Sequence, residues 1–405
     1  MAVGSGDYGT LYAVPGVRLA AVSAGIKKAG RLDLVLFELS EGSVTAGVFT
    51  TNAFCAAPVV LSKRHLAARM PRYFLINTGN ANAGTGTPGL DAALRCCQSL
   101  ATLSQSDETA VLPFSTGVIG EALPAEKITA ALPGALRDLA PTHWELAARG
   151  IMTTDTRPKA ASRQLTLGGK TLTITGIAKG AGMIKPNMAT MLGFVCTDLA
   201  LRQEEAQALL RASADKSFNR ITVDGDTSTN DCCMLAATGT SGVRFSALTA
   251  DERAQFAAAL HEVCVALATA IIKDGEGATK FVTVDIEGGA DTAECLQVGY
   301  AIAESPLVKT ALFASDPNWG RILAAVGRAG LHALDLDAIG IWLDEVKIVE
   351  RGARAASYTE EQGQRVLKQE AFTIRVALGR GAAVERLWTC DFSHDYVSIN
   401  ADYRS

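Results

Sequence analysis

Short apolar runs broken by Gly, Asn, Ser and Asp clusters recur along this chain, and the period of each run predicts an element. Period-2 or continuous apolar runs predict strands at 34–39 and 44–49, joined through Glu41-Gly42-Ser43 as a hairpin, and another strand at 73–77. That last strand empties into Thr78-Gly79-Asn80-Ala81-Asn82-Ala83-Gly84-Thr85-Gly86, a loop rich in residues that tolerate positive φ. A helix is expected over 91–103, with Asp91 near its start to satisfy free N–H groups. The apolar run 111–114 ends in a second Gly turn at 115–120, and Pro124 opens a further helix. Residues 143–148 are helical in pattern, and Leu167-Gly168-Gly169-Lys170 predicts a hairpin turn into a strand at 171–175. Then comes a Gly- and Pro-containing loop with two lysines, 177–191, running straight into the buried strand pattern Leu192-Gly193-Phe194-Val195. Helices are expected over 203–218 and 251–273, separated by a polar stretch at 224–231. From Phe281 onward the texture changes to strand (281–286), helix (305–313) and strands (339–343, 372–378, 387–391).

The alternation is mixed, which predicts an α/β protein of layered sheets and helices and not a regular doubly wound sheet. A length of 405 residues exceeds one compact core. The expected division is a main catalytic domain over 1–280, to which the tail 392–405 returns, and a smaller α/β domain over 281–391. The core is mainly aliphatic, since aromatics make up only 6% of the chain. A net charge of −4 with no basic block does not suggest a nucleic-acid-binding surface, since phosphate contacts need a concentrated basic patch, so no nucleic-acid partner is expected. The nine cysteines show no zinc spacing and lie among apolar residues, as reduced buried thiols do; no metal is expected. No basic n-region with an apolar h-region opens the chain, and the apolar helix 256–272 is short for a bilayer. A cytoplasmic protein without a membrane partner is the expectation.

Acyl-transfer chemistry needs a nucleophile, a base and donors for an oxyanion. The five histidines lie outside the Gly-rich loops, which disfavours a Ser–His arrangement. Threonine offers another route, in which backbone cleavage frees its own α-amine as the base. Ala189-Thr190 suits that route, because the small preceding residue leaves its carbonyl open to the hydroxyl. A structural threonine at a loop-to-strand junction is the competing reading. Thr116-Gly117 is the natural oxyanion candidate, against a plain strand-ending turn. Lys179 can hold a substrate carboxylate, against a solvated loop lysine. Glu276, at the end of a long helix, can pair with an ammonium, although a helix C-terminus disfavours an anion. The 224–231 run lacks EF-hand spacing and is expected to cap loops through hydrogen bonds.

Lys179-Gly180-Ala181-Gly182-Met183-Ile184 followed by Pro186-Asn187-Met188-Ala189-Thr190-Met191-Leu192 resembles the glutamate N-acetyltransferase (ornithine acetyltransferase) family of arginine biosynthesis. So do Asn80-Ala81-Asn82-Ala83-Gly84-Thr85-Gly86, Ser115-Thr116-Gly117-Val118-Ile119-Gly120 and Met152-Thr153-Thr154-Asp155-Thr156. The stretches Asp224-Gly225-Asp226-Thr227-Ser228-Thr229-Asn230-Asp231 and Ser315-Asp316-Pro317-Asn318-Trp319-Gly320-Arg321 also match, as does the tail Asn400-Ala401-Asp402-Tyr403-Arg404-Ser405. The resemblance implies an N-terminal-nucleophile type fold. It implies self-cleavage between Ala189 and Thr190 into chains 1–189 (α) and 190–405 (β), held together as a hetero-oligomer, expected α2β2. It makes Thr190 the nucleophile of a ping-pong transfer of acetyl from N-acetylornithine to glutamate. Thr116 and Gly117 match the oxyanion hole; Thr153, Lys179, Thr190, Glu276, Asn400 and Ser405 match substrate-binding positions. Ser405 replaces a threonine common at the family's end and keeps the hydroxyl. No cofactor is implied, and acetyl-CoA as a second donor is left open, since the family contains monofunctional and bifunctional members. Two other readings stay open from the residues alone: a related hydrolase that hands the acyl group to water, and a ligand-binding protein in which Thr190 is structural.

Overall fold

The computed structural model describes residues 2–27, 30–185 and 191–402. Two sheets pack face to face. The first has four strands in the order Val17–Val22, Leu34–Leu39, Tyr73–Asn80, Val111–Val118. The second has five, in the order Val44–Phe49, Cys232–Ala237, Leu192–Thr197, Lys170–Lys179, Lys159–Leu167. Between them lies a closed apolar layer, with Phe37, Phe74 and Phe114 of the first sheet meeting Phe194 of the second at ring separations of 5.4, 5.9 and 5.1 Å. Rings tilted or edge-on at this range add to the burial of apolar area that drives the two sheets together.

Helices close both outer faces. Ala57–Ala68, Gly86–Ser104 and Ala125–Arg137 pack on the first sheet, through residues such as Cys96, Leu100, Ile128 and Leu132. Gln203–Asp215 and Ala250–Lys273 pack on the second. The 24-residue helix Ala250–Lys273 starts at a capping box, where Thr249 and Glu252 satisfy each other's backbone N–H groups. It matches the helix expected over 251–273 to within one residue and is, by length and composition, apolar enough to cross a membrane. Its apolar stripe, including Phe256, Leu260, Val263 and Leu267, is spent on the second sheet. The result is a helix–sheet–sheet–helix sandwich of mixed α/β class, the layered type expected.

A third, seven-stranded sheet forms a separate core with Thr292–Ala303, Pro306–Phe313 and Trp319–Gly327 around Val284, Ile286, Ile341, Ile374 and Leu387. One edge strand, Ile221–Thr222, comes from earlier in the chain and pairs in parallel with Trp388 and Thr389.

Two local expectations are corrected. Strands Leu34–Leu39 and Val44–Phe49 do not form a hairpin. The first pairs with Val17–Val22 and Tyr73–Asn80, the second with Cys232–Ala237, so the turn at 41–43 carries the chain from one sheet to the other. Leu34-Val35-Leu36-Phe37 is apolar on both faces and fully buried, which suits the middle of a sheet better than a two-stranded ribbon. Asp91 does not cap its helix, which begins five residues earlier at Gly86, with Pro88 in the first turn where a missing N–H costs nothing. The Lys159–Leu167 and Lys170–Lys179 hairpin forms with Leu167 opposite Lys170, as the Gly168-Gly169 pair predicts. Eight of the nine cysteines are buried and all are free; burial pushes the Cys96 and Cys264 thiols up to about 12.

Candidate active site

At one end of the sandwich, four strand or helix ends meet around a cavity of about 260 Å³. Strand Val111–Val118 delivers Thr116 and Gly117, and strand Lys170–Lys179 ends on Lys179. The chain just past Ala250–Lys273 supplies Glu276, and the last helix, His394–Ala401, returns Asn400. Thr153 closes another side. The backbone at Gly117 has φ +136°, and a methyl group there would collide with the backbone of Gly79 on the neighbouring strand. Only glycine fits both the angle and the approach. Here the ladder between Tyr73–Asn80 and Val111–Val118 also slips register, a bulge that lifts Thr116 and Gly117 toward the cavity.

Lys179 is buried and donates from Nζ to Thr116 Oγ1 at 3.2 Å. A hydroxyl that accepts from an ammonium keeps its own proton free to donate elsewhere, so this bond turns Thr116 into a donor. Burial pushes the Lys179 ammonium below its ordinary pKa; Asp155 pulls the other way and neighbouring Lys159 adds to the depression. Across the cavity, the Glu276 carboxylate is also buried and accepts from Asn400 Nδ2 at 2.8 Å. A side chain at Gly182 would strike that carboxylate, which explains a glycine in the loop facing it. A cation, Lys179, thus faces a carboxylate, Glu276, across a small chamber that Asp231 also lines, a match for a substrate carrying both a carboxylate and ammonium groups.

Beneath the chamber runs a buried ion network. Lys159 Nζ sits 2.6 Å from Asp155 Oδ1 and 2.6 Å from Asp274 Oδ2, and all three side chains are 0% exposed. Asp155 also accepts from the backbone of Gly180 at 2.7 Å and of Thr153 at 2.9 Å. Asp274 accepts from both the N–H and the hydroxyl of Thr156. Burial alone would raise the Asp155 carboxyl, but the charges of Lys159 and Lys179 overcome it and hold it well below the usual aspartate range. The network ties the 153–156 turn, the 179–180 strand end and the 274–276 helix exit into one rigid floor. Nothing in the sequence pattern singled out Asp155, Lys159 or Asp274 for such a role; a lysine opening the otherwise small, apolar run Ala160-Ala161 was the available signal.

The 224–231 stretch does cap loops. Asp224 accepts from the N–H groups of Met183 and Ile184 at 2.7 and 2.8 Å, and Tyr396 of the last helix also reaches it. Asn230 donates to Ala81 and Ser115 carbonyls at 2.6 and 2.9 Å, joining that stretch to the oxyanion turn. Among the described residues no group of His, Cys, Asp or Glu is arranged to hold a metal.

Of the residues expected from sequence, Thr116, Gly117, Thr153, Lys179, Glu276 and Asn400 line this cavity together. Ala189, Thr190 and Ser405 lie outside the described residues. Met191, the residue after Thr190 in the chain, lines the same cavity, and Leu192 beside it opens the central strand of the second sheet. No histidine is among the cavity's described lining.

The sequence model of the ArgJ family matches residues 18–405. The chain belongs to the ArgJ family. A Pseudomonas fluorescens protein named arginine biosynthesis bifunctional protein ArgJ is 59% identical over 406 residues, covering 100% of both chains. The protein of the same name from Pseudomonas syringae pv. tomato is 59% identical over 414 residues, again with 100% of each covered. A crystal structure of the arginine biosynthesis bifunctional protein argJ from Bacillus halodurans is 38% identical, covers 52% of this chain and 99% of that one, and superposes with a TM-score of 0.49.

Proposed function

We propose that the chain moves an acetyl group from N2-acetyl-L-ornithine to L-glutamate, as an enzyme of arginine biosynthesis, by ping-pong transfer through Thr190. The full-length relatives, named arginine biosynthesis bifunctional protein ArgJ, support the pathway and a second activity, which we read as use of acetyl-CoA as a further donor for N-acetylglutamate. The observation that supports the chemistry best is the single chamber carrying Thr116-Gly117, Lys179 and Glu276, with Met191 in its wall.

In this reading the precursor cuts itself between Ala189 and Thr190, and the freed α-amine of Thr190 serves as the base for its own hydroxyl. The hydroxyl adds to the acetyl carbonyl, and Thr116 and the Gly117 N–H receive the oxyanion. Collapse expels ornithine, whose leaving amine takes the proton that the α-amine had accepted. The glutamate amine then attacks the acetyl ester by the same path in reverse. Lys179 pairs with the substrate α-carboxylate, and Glu276, held by Asn400, pairs with the ornithine side-chain ammonium. Residues 1–189 and 190–405 remain together as a cytoplasmic hetero-oligomer, α2β2, and no cofactor takes part.

The test is an acetyl-exchange assay on the purified protein. N-acetylornithine and glutamate together should yield ornithine and N-acetylglutamate in equal amounts. Release of free acetate that glutamate does not divert would mean a hydrolase instead.

A further inference from the structure

The chamber has a neighbour. A second cavity of about 230 Å³ shares Gly117, Val118, Thr153 and Thr154 with the first, so the oxyanion turn stands between the two. Its far side carries Lys27 and Arg31, and Ile399 and Asp402 of the tail cover it. The two chambers differ in charge. Among its described lining, the first carries two carboxylates, Glu276 and Asp231, against one cation, Lys179. In the second, Lys27 makes no hydrogen bond or ion pair among the described residues, and Arg31 Nη2 donates to the carbonyls of Met152 and Thr153 at 2.8 and 2.9 Å. Of its carboxylates, Asp33 spends both oxygens on the N–H groups of Ala24 and Ile26, each at 2.6 Å, while exposed Asp402 has a partner of its own.

The proposed reaction, on which this inference rests, asks one nucleophile to serve two molecules whose side chains end in opposite charges. N-acetylornithine ends in an ammonium, which buried Glu276 attracts. Glutamate ends in a second carboxylate, which Glu276 and Asp231 repel across a chamber of low dielectric. We infer that the side-chain carboxylate of the glutamate acceptor lodges in the second chamber, paired with Lys27 and Arg31, while its amine faces the oxyanion turn. Donor and acceptor then approach the same acetyl group from opposite sides of Gly117, and each chamber rejects the other's side chain by charge.

Lys27 carries the test, because Arg31 also holds the 152–153 backbone and its loss would disturb Thr153. Steady-state exchange is measured for wild type, Lys27→Met, Lys27→Glu and Lys27→Arg, with N-acetylornithine and glutamate varied in turn and acetyl-CoA as an alternative donor. Lys27→Met should raise KM for glutamate about tenfold, the loss expected for one charge-assisted hydrogen bond, with KM for N-acetylornithine at its wild-type value. Lys27→Glu should raise it further, and Lys27→Arg should restore it. The inference is overturned if both KM values rise together or if neither moves. It is also overturned if only KM for acetyl-CoA rises, which would make the chamber a phosphate subsite. Failure of the acetyltransferase reading itself would show separately, as wild-type protein that exchanges no acetyl group.

Discussion

Thr116→Ala is expected to lower kcat for acetyl exchange by about 100- to 1,000-fold, the range seen when one oxyanion donor is lost. Thr116 stands at a strand end, half-buried, and its hydroxyl is primed by Lys179 at 3.2 Å. Both half-reactions pass through a tetrahedral oxyanion, so acetylation by N-acetylornithine and deacetylation by glutamate should slow alike. KM for either substrate should change little, because the hydroxyl gains its strongest interaction only once negative charge develops. Thr116→Ser keeps the donor and should recover most of the rate. A folded Thr116→Ala enzyme with wild-type kcat would remove Thr116 from the oxyanion hole.

The largest effect on stability is expected from Lys159→Met. Lysine and methionine are similar in length, so packing is nearly kept, but the change strips the ammonium bonded to both Asp155 and Asp274 at 0% exposure. Leaving buried carboxylates without their partner costs about 3–5 kcal/mol. The loss should appear as a lowered midpoint in thermal or urea unfolding, and it should depend on pH in a fixed direction. Asp155 has its pKa depressed in the folded protein from an ordinary 3.8. Its contribution to stability is therefore complete above that value and is lost as pH falls through the lower folded value. In the variant, the carboxylate lacking Lys159 is relieved by protonation instead. The stability gap between wild type and Lys159→Met should narrow as pH is lowered from 7 toward 4. A gap that stays constant over that interval would mean the triad is not held together by charge. Because the same triad anchors Gly180, Thr153 and Thr156, the variant should lose activity at temperatures where it is still folded.

How much of this could be read from sequence depends on the distance over which each residue acts. Thr116-Gly117 was legible because the need for a glycine is local: a positive φ at a strand end, hard against the next strand. Lys179 was legible only as a lysine of a glycine loop; the strand expected over 171–175 in fact runs on to Lys179 and buries it. Glu276 looked misplaced beside a helix C-terminus, and the structure resolves this by placing the residue beyond the helix, its backbone N–H bonded to Ala181 and its carboxylate to Asn400. Periodicity identified the strands at 34–39 and 44–49 but not their partners, since a short polar turn permits either a hairpin or a passage between sheets. The Lys159–Asp274 pair joins residues 115 apart, and no window of sequence contains both. The Lys27 and Arg31 chamber exists only because the tail folds back over a loop near the other end of the chain.

The claim that everything else depends on is that acetyl travels on Thr190, and one measurement addresses it directly. Purified protein is mixed with N-acetylornithine, quenched and read by intact mass, then read again after glutamate is added. The account predicts fragments 1–189 and 190–405, a single acetyl group on the second fragment that glutamate discharges, and for Thr190→Ala one uncut chain that takes up none. An acetyl group on the first fragment, or exchange activity from an uncut Thr190→Ala chain, would contradict it.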